Sequence, residues 1–417
     1  MTAIRRPVLF ALLWLSGACL RLTVLAVPPL VPLLHADLHF SETGIGWLSS
    51  LPTMMFAVAA VPGALLIARF GLVPALLVGL LLNAVGSAAR GAAPDATLLS
   101  LSTILMAAGV SITQPVMPPL VRTWFPERIG LATAVYTNGL LVGETLVVAL
   151  TIPVVLPLTH GSWRLSFVVW SIPVLATALL VAFAAPRRGR DEPHQMRRAS
   201  ATPRKVAAWW PDWRDPLIWR LGLILGSVNT IYFVSNAFLP DFVTAAGRAD
   251  LVSPALTAIN LGQLPASLLM LGFAGRLVTR PWAYGLTGLV SFCSAVGMMA
   301  MHGPWIVVWA GLLGFTNAAT LVLALALPSV LSAPGDAHRT SAGMFTISYS
   351  GAMALSILGG WLWDATHQPI AGLVPVALCG LVIAALASTV RQAGARGRRS
   401  ADVVPTDTDR TRRTLEV

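Results

Sequence analysis

Charge is what this chain has least of. Only 11% of its 417 residues are charged, against about 25% in a soluble domain. With 56% hydrophobic residues and a mean hydropathy of +0.76, the composition excludes an ordinary soluble fold and requires an integral membrane protein. Lysine is scarcer still, since Lys205 is the one lysine among 28 basic residues. A phosphate-cradling loop ends in Lys-Ser/Thr, but Lys205 lies between Arg204 and Val206, so an ATP-driven pump is excluded and no cofactor is expected. Cys19, Cys293 and Cys379 are the only cysteines, all in apolar runs without metal-ligand spacing. They read as packing residues, and no metal is expected. The spans hold no Ser/His/Asp or His/Glu constellation, so the chain does not read as an enzyme. A formal charge of +11 raises nucleic acid as a partner, but the basic residues sit in loops and tails between apolar runs. The partner they imply is the lipid bilayer.

What is present in abundance is long apolar runs. Twelve are long enough to span: 8–34, 45–67, 74–92, 97–120, 130–157, 164–185, 217–243, 254–274, 281–301, 304–330, 341–363 and 370–390. Turn signals at 93–95, 125–127, 302–304 and 332–336 separate them. Arg5 and Arg6 before the first run imitate a signal peptide, but Arg21 interrupts it and no small-x-small cleavage site follows. It reads as an uncleaved first span. With both termini cytoplasmic, twenty-four basic residues fall inside and three, Arg90, Arg164 and Arg248, outside. The polar, basic segment 186–216 divides the spans six and six. The expected organisation is therefore an N-terminal bundle 1–185, a cytoplasmic linker 186–216, a C-terminal bundle 217–390 and a disordered tail 391–417. Trp209, Trp210 and Trp213 in the linker are expected at the bilayer interface.

The halves repeat one another. Val31-Pro32-Leu33-Leu34 ends span one as Leu239-Pro240-Asp241-Phe242 ends span seven. Ile67-Ala68-Arg69 follows span two as Ala274-Gly275-Arg276 follows span eight. The offsets are 208 and 207 residues. Two repeated six-span halves are the signature of the major facilitator architecture. The expected fold is all-α: twelve transmembrane helices in two pseudo-symmetric six-helix bundles, monomeric by analogy with that fold.

Two charges lie deep in the spans. Arg21 is about 20 Å from either face by helical rise, where a guanidinium costs at least about 2.5–3.5 kcal/mol. It needs water, a counter-ion or an anionic ligand. Glu144, in span five, is at similar depth. We expect these two to pair when the site is empty, with protonation of Glu144 freeing Arg21 for an anion. Carrying a proton with an anion offsets about 2.3 kcal/mol of electrical work per 100 mV. Further polar candidates are Thr113 and Gln114 in span four, Tyr136 and Asn138 in span five, and Asn229, Tyr232 and Asn236 in span seven. Asn317 in span ten and Ser348 and Tyr349 in span eleven complete the set. Asn229 is the repeat counterpart of Arg21. Of these, Gln114, Asn138, Asn229, Tyr232, Asn317 and Tyr349 are taken with Arg21 as solute ligands, and Glu144 as the proton carrier. Gly139 and Gly143, and Ala352, Ser356 and Gly360, offer small faces for close helix contact where the halves slide. Prolines 28, 29, 32, 118 and 119 are expected to bend spans one and four. The loop acids Asp37, Glu42, Asp95, Asp250 and Asp364 are expected to be solvated, as are the loop histidines.

Gly17-Ala18-Cys19-Leu20-Arg21, with Pro28-Pro29-Leu30-Val31-Pro32 after it, resembles the first span of the cyanate and 2-nitroimidazole transporter family. That family has Asn-Leu-Arg-Pro there, so Cys19 and Leu22 depart from it. Gln114-Pro115-Val116-Met117-Pro118, Trp163-Arg164 with Trp170 and Pro173, and Phe238-Leu239-Pro240 extend the likeness over most of the chain. The resemblance implies a bacterial inner-membrane secondary transporter of a small anion or compact polar solute, and the departures beside Arg21 count against cyanate itself. One superfamily marker is degraded: Gly63 to Gly71 has Ala68 where an aspartate supports the gating ion network. Nitrate-type antiport is excluded because spans two and eight carry no charge. The competing reading is proton-driven export of drugs or cationic compounds, with Glu144 as cation ligand and Arg21 as its structural partner.

Overall fold

The computed structural model describes residues 5–38, 42–186, 209–333, 335–388 and 390. Most of the linker (187–208) and the tail (391–417) lie outside the described residues. Eleven helices among them are long and apolar enough to cross a membrane. The remaining span is the first, Arg5–Leu22, which differs by carrying Arg5, Arg6 and Arg21 within 18 residues. Local signals set several of the starts. Asp95 accepts from the Leu98 amide at the head of span four, Ala96–Trp124. Ser162 caps span six, Trp163–Ala184. Asp215 caps span seven, Pro216–Ala245, with proline at its first position.

Helix contacts repeat with a shift of six. Span one packs on five, three on four and six, and two on four. Correspondingly seven packs on eleven, nine on ten and twelve, and eight on ten. Between the halves, two faces eleven and five faces eight. This is the two-bundle, twelve-helix architecture expected from the repeat offsets.

Span one is not a continuous helix. It stops at Leu22, turns through 23–27, and resumes as a 3-10 turn at Pro28–Leu30 and a helix at Val31–Leu38. Its prolines open the resumed piece rather than bend a continuous helix. Span eight is interrupted only at Gly262, between Val252–Leu261 and Gln263–Leu277, where the glycine keeps helical dihedrals and its amide bonds the Ala258 carbonyl at 2.8 Å. Span four, by contrast, runs unbroken through Pro115, Pro118 and Pro119.

Two expectations about packing and loops are corrected. Gly139 and Gly143 do not line the meeting of the halves. A β-carbon on Gly143 would stand 2.6 Å from the Ala18 carbonyl oxygen, and one on Gly139 would strike the Trp14 carbonyl. These glycines fix span five on span one inside a single half, which brings Arg21 level with Glu144. Nor is Asp37 merely solvated. It accepts from Trp163 Nε1 at 3.0 Å and from the Arg164 guanidinium, itself 4.2 Å over the Trp163 ring. The Trp163-Arg164 pair thus ties the outer piece of span one to span six. Around the linker's end, the rings of Trp209, Trp210 and Trp213 meet edge to face, with Trp210 exposed.

Candidate functional site

The break in span one places the site. An unwound segment leaves backbone groups without helical partners, which in a membrane must be satisfied within the protein. Span three, Leu72–Gly91, supplies them. Asn83 Nδ2 donates to the Cys19 carbonyl at 2.9 Å, and Asn83 Oδ1 accepts from Thr23 Oγ1 at 2.7 Å. Arg90 Nη2 donates to the Thr23 carbonyl at 2.8 Å and to Ser87 Oγ at 3.0 Å, with its guanidinium 4.3 Å over the Phe167 ring. Arg90 is fully buried, so its sequence assignment to an outer loop is corrected. Its charge turns inward because the broken helix offers a carbonyl there. Removing it would leave that carbonyl orphaned. Arg90→Ala is expected to destabilise the protein by about 1–3 kcal/mol, seen as a lower thermal midpoint in detergent. An unchanged midpoint would show that the splint is dispensable.

One residue before the break stands Arg21, only 6% exposed. Two cavities meet at it. The first, with about 20 Å³ of room for the centre of a water-sized molecule, is walled by Arg21, Gln114, Tyr136, Asn229 and Tyr349 over an apolar floor that includes Phe345 and Leu325. The second, with about 10 Å³ on the same measure, adds Glu144, Tyr232, Gln263 and Asn317 around the same arginine. Each has room for about one water, so a larger solute needs the two halves to part. Among the described residues, Arg21 is the only cation lining either. Its Nε lies 3.9 Å from Glu144 Oε2 and has no hydrogen-bond partner. The charges are in contact, but the guanidinium is not consumed by the carboxylate. Glu144 instead accepts a short bond of 2.5 Å from the Tyr232 hydroxyl, across the divide between the halves. The Tyr232 ring also faces Arg21, 5.9 Å from the guanidinium carbon.

The other residues sort cleanly. Gln114, Asn229, Tyr232, Asn317 and Tyr349 all line one or both cavities. Asn229 Nδ2 donates to Ser348 Oγ at 2.8 Å, and Tyr349 is held by the Phe56 ring at 5.1 Å. Asn138 lines neither cavity. Its amide oxygen accepts from Trp14 Nε1 at 2.9 Å and its nitrogen donates to Ser267 Oγ at 3.0 Å, so it ties span five to span eight. Asn236 bonds the Tyr232 carbonyl and Asn260, and Thr113 bonds back to Gly109. Sequence reading missed Gln263, Asn83 and the true place of Arg90. Gln263 had a signal: Asn260-Leu261-Gly262-Gln263-Leu264-Pro265 interrupts an apolar span with a glycine and a proline, the pattern of a broken helix at a binding site.

A sequence profile of the Major Facilitator Superfamily matches residues 13–284, well over half of the chain. The chain belongs to the Major Facilitator Superfamily. Among its relatives, the 2-nitroimidazole transporter of Escherichia coli (strain K12) is 25% identical over 381 residues, covering 91% of this chain and 94% of that one. The cyanate transport protein CynX of the same organism is 29% identical over 365 residues, covering 84% and 90%. In fold the chain is similar to the fucose:proton symporter FucP of E. coli, with a TM-score of 0.67 and 16% identity over 91% of this chain and 98% of that one.

Major facilitator proteins work by exposing one site to each side in turn, and this transporter has its halves joined at the arginine-rich face. Arg122 Nη1 donates to the Ser332 carbonyl at 3.0 Å, capping the C-terminal end of span ten, where a cation is favoured. Ser329 Oγ donates to the Pro118 carbonyl at 2.6 Å, and Gly130 approaches Gly275 so closely that a β-carbon would lie 2.5 Å from its Cα. Where Ala68 replaces the acid of the superfamily marker, a guanidinium on backbone carbonyls closes this face instead.

Proposed function

We propose that the protein carries a small anion or compact polar solute across a bacterial inner membrane by alternating access, together with a proton, as a monomer with both termini cytoplasmic. One observation carries this reading. Arg21 walls both central cavities, is their only cation among the described residues, and keeps its Nε–H unbonded although a carboxylate lies 3.9 Å away. A guanidinium so placed is ready for an acceptor that the protein itself does not supply. Glu144 is the proton carrier of the scheme. Ionised, it neutralises Arg21 in the empty site; protonated, it releases Arg21 to the solute. Gln114, Asn229, Tyr232, Asn317 and Tyr349 orient the solute. The names of the E. coli relatives, for 2-nitroimidazole and cyanate, support a compact solute. The test is uptake into proteoliposomes of cyanate, 2-nitroimidazole and a cationic dye, under an imposed gradient with the acid side outside. Accumulation of either of the first two, enhanced by the gradient, is expected. Movement of the dye alone would replace this reading with cation export.

A further inference from the structure

Tyr136 has no part in the scheme above, yet it is placed as a ligand would be. The chain has four tyrosines, and Tyr136, Tyr232 and Tyr349 line the two cavities. Tyr232 spends its hydroxyl on Glu144. Tyr136 is 1% exposed and its hydroxyl has no partner. Its position is fixed by backbone: a β-carbon on Gly17 would collide with the Tyr136 carbonyl, so span one lies directly on this residue one turn before Arg21.

Buried polar groups are nearly always hydrogen-bonded, and an orphan calls for an explanation. Among the described residues, several buried side-chain atoms have no partner. Those belonging to cavity walls are Arg21 Nε, Tyr136 Oη and Asn317 Oδ1. Tyr136 shares the first cavity with Arg21, and Asn317 shares the second with it. Tyr136 and Asn317 thus belong to different cavities that share Arg21.

We propose that Tyr136 is a solute ligand: its O–H and the Arg21 Nε–H hold the oxygens of an acidic head, while Asn317 Oδ1 takes an N–H or O–H from the solute's far end. The substrate class is then a compact planar acid with a hydrogen-bond donor opposite its charge. The apolar floor of Leu20, Leu140, Leu325 and Phe345 would face the flat body of such a molecule once the halves part. This assignment rests on the transport reading of Arg21.

The probes are imidazole-4-carboxylate, a planar acid with a ring N–H, and thiophene-2-carboxylate, which has the acid but no donor. Binding to the full-length protein in detergent is measured by calorimetry. The wild type is expected to bind the imidazole acid more tightly. Tyr136→Phe is expected to weaken both acids about tenfold, the effect of one hydrogen bond in a buried site. Asn317→Leu is expected to weaken only the imidazole acid. Tyr136→Phe also removes an unsatisfied buried group, so the thermal midpoint of the free protein is expected to hold or rise. A tyrosine that served only the fold would lower it. Unchanged binding in Tyr136→Phe, with binding lost in Arg21→Ala, overturns the Tyr136 assignment and leaves the transport reading intact. Failure of the wild type to bind either acid overturns the substrate class. Binding that survives Arg21→Ala overturns the reading on which both rest.

Discussion

Arg21→Ala is expected to end solute binding and transport while leaving the protein folded. Losing one partner of a desolvated charge contact costs about 2–5 kcal/mol, which is between roughly thirtyfold and several thousandfold in affinity. The upper part of that range applies here, because no second cation among the described residues lines either cavity. Arg21→Lys is expected to recover part of the loss, since it restores the charge but not the planar fork. Removing the guanidinium also strands Glu144, 7% exposed, beside the Tyr232 hydroxyl. A buried carboxyl without a counter-ion takes up a proton rather than stay charged, so the variant is expected to remain stable enough to purify. Uptake and binding measured on the same preparation check this. Full activity in Arg21→Ala would assign the guanidinium to structure and return the cation-export reading, in which Glu144 alone matters.

Glu144→Gln separates coupling from binding. The amide keeps the shape of the side chain and can still accept from Tyr232, but it carries no titrating proton. Exchange of labelled for unlabelled solute needs no net proton movement and is expected to continue. Accumulation driven by a pH gradient needs it and is expected to vanish. A gradient of one pH unit is worth about 1.4 kcal/mol per proton, or about tenfold accumulation for one proton per solute. That tenfold is the effect to be lost. In the proposed scheme Glu144 binds a proton at the acid face and frees Arg21, and at the alkaline face it ionises and competes with the solute. Counterflow and gradient-driven uptake, run side by side, read the two properties. If gradient-driven accumulation survives in Glu144→Gln, the proton is carried elsewhere.

Much of the fold was legible because it depends on simple lengths and signs. Apolar runs of the right length gave the spans, and the 208-residue offset between Val31 and Leu239 gave the two halves. The depth of Arg21 and Glu144 could be counted, and Gly139 and Gly143 then bring them together by packing span five on span one. The limits of that reading are equally specific. Arg90 falls at the end of an apolar run, where charge ordinarily faces water. Only the unwinding of residues 23–27, in another helix, gives its guanidinium a carbonyl inside the protein. Asn138 and Asn229 look alike on their helices, yet Asn138 has both ends of its amide engaged by Trp14 and Ser267 while Asn229 lines both cavities. Which polar groups become ligands and which become ties is decided by the neighbouring helix, and no local pattern records it. Gln263 is the intermediate case, since Gly262 and Pro265 mark an interruption of the span that periodicity alone passes over.

The central claim is that the Arg21 guanidinium holds the negative charge of the solute between the two bundles. A crystal structure with selenocyanate, a compact anion whose selenium can be located by anomalous scattering, tests it most directly. The expected result is a selenium peak in one of the two central cavities, with the anion within about 4 Å of the guanidinium and lost in Arg21→Ala crystals. A peak elsewhere in the protein, with Arg21 bonded only to Glu144 and both cavities free of the anion, would contradict the account.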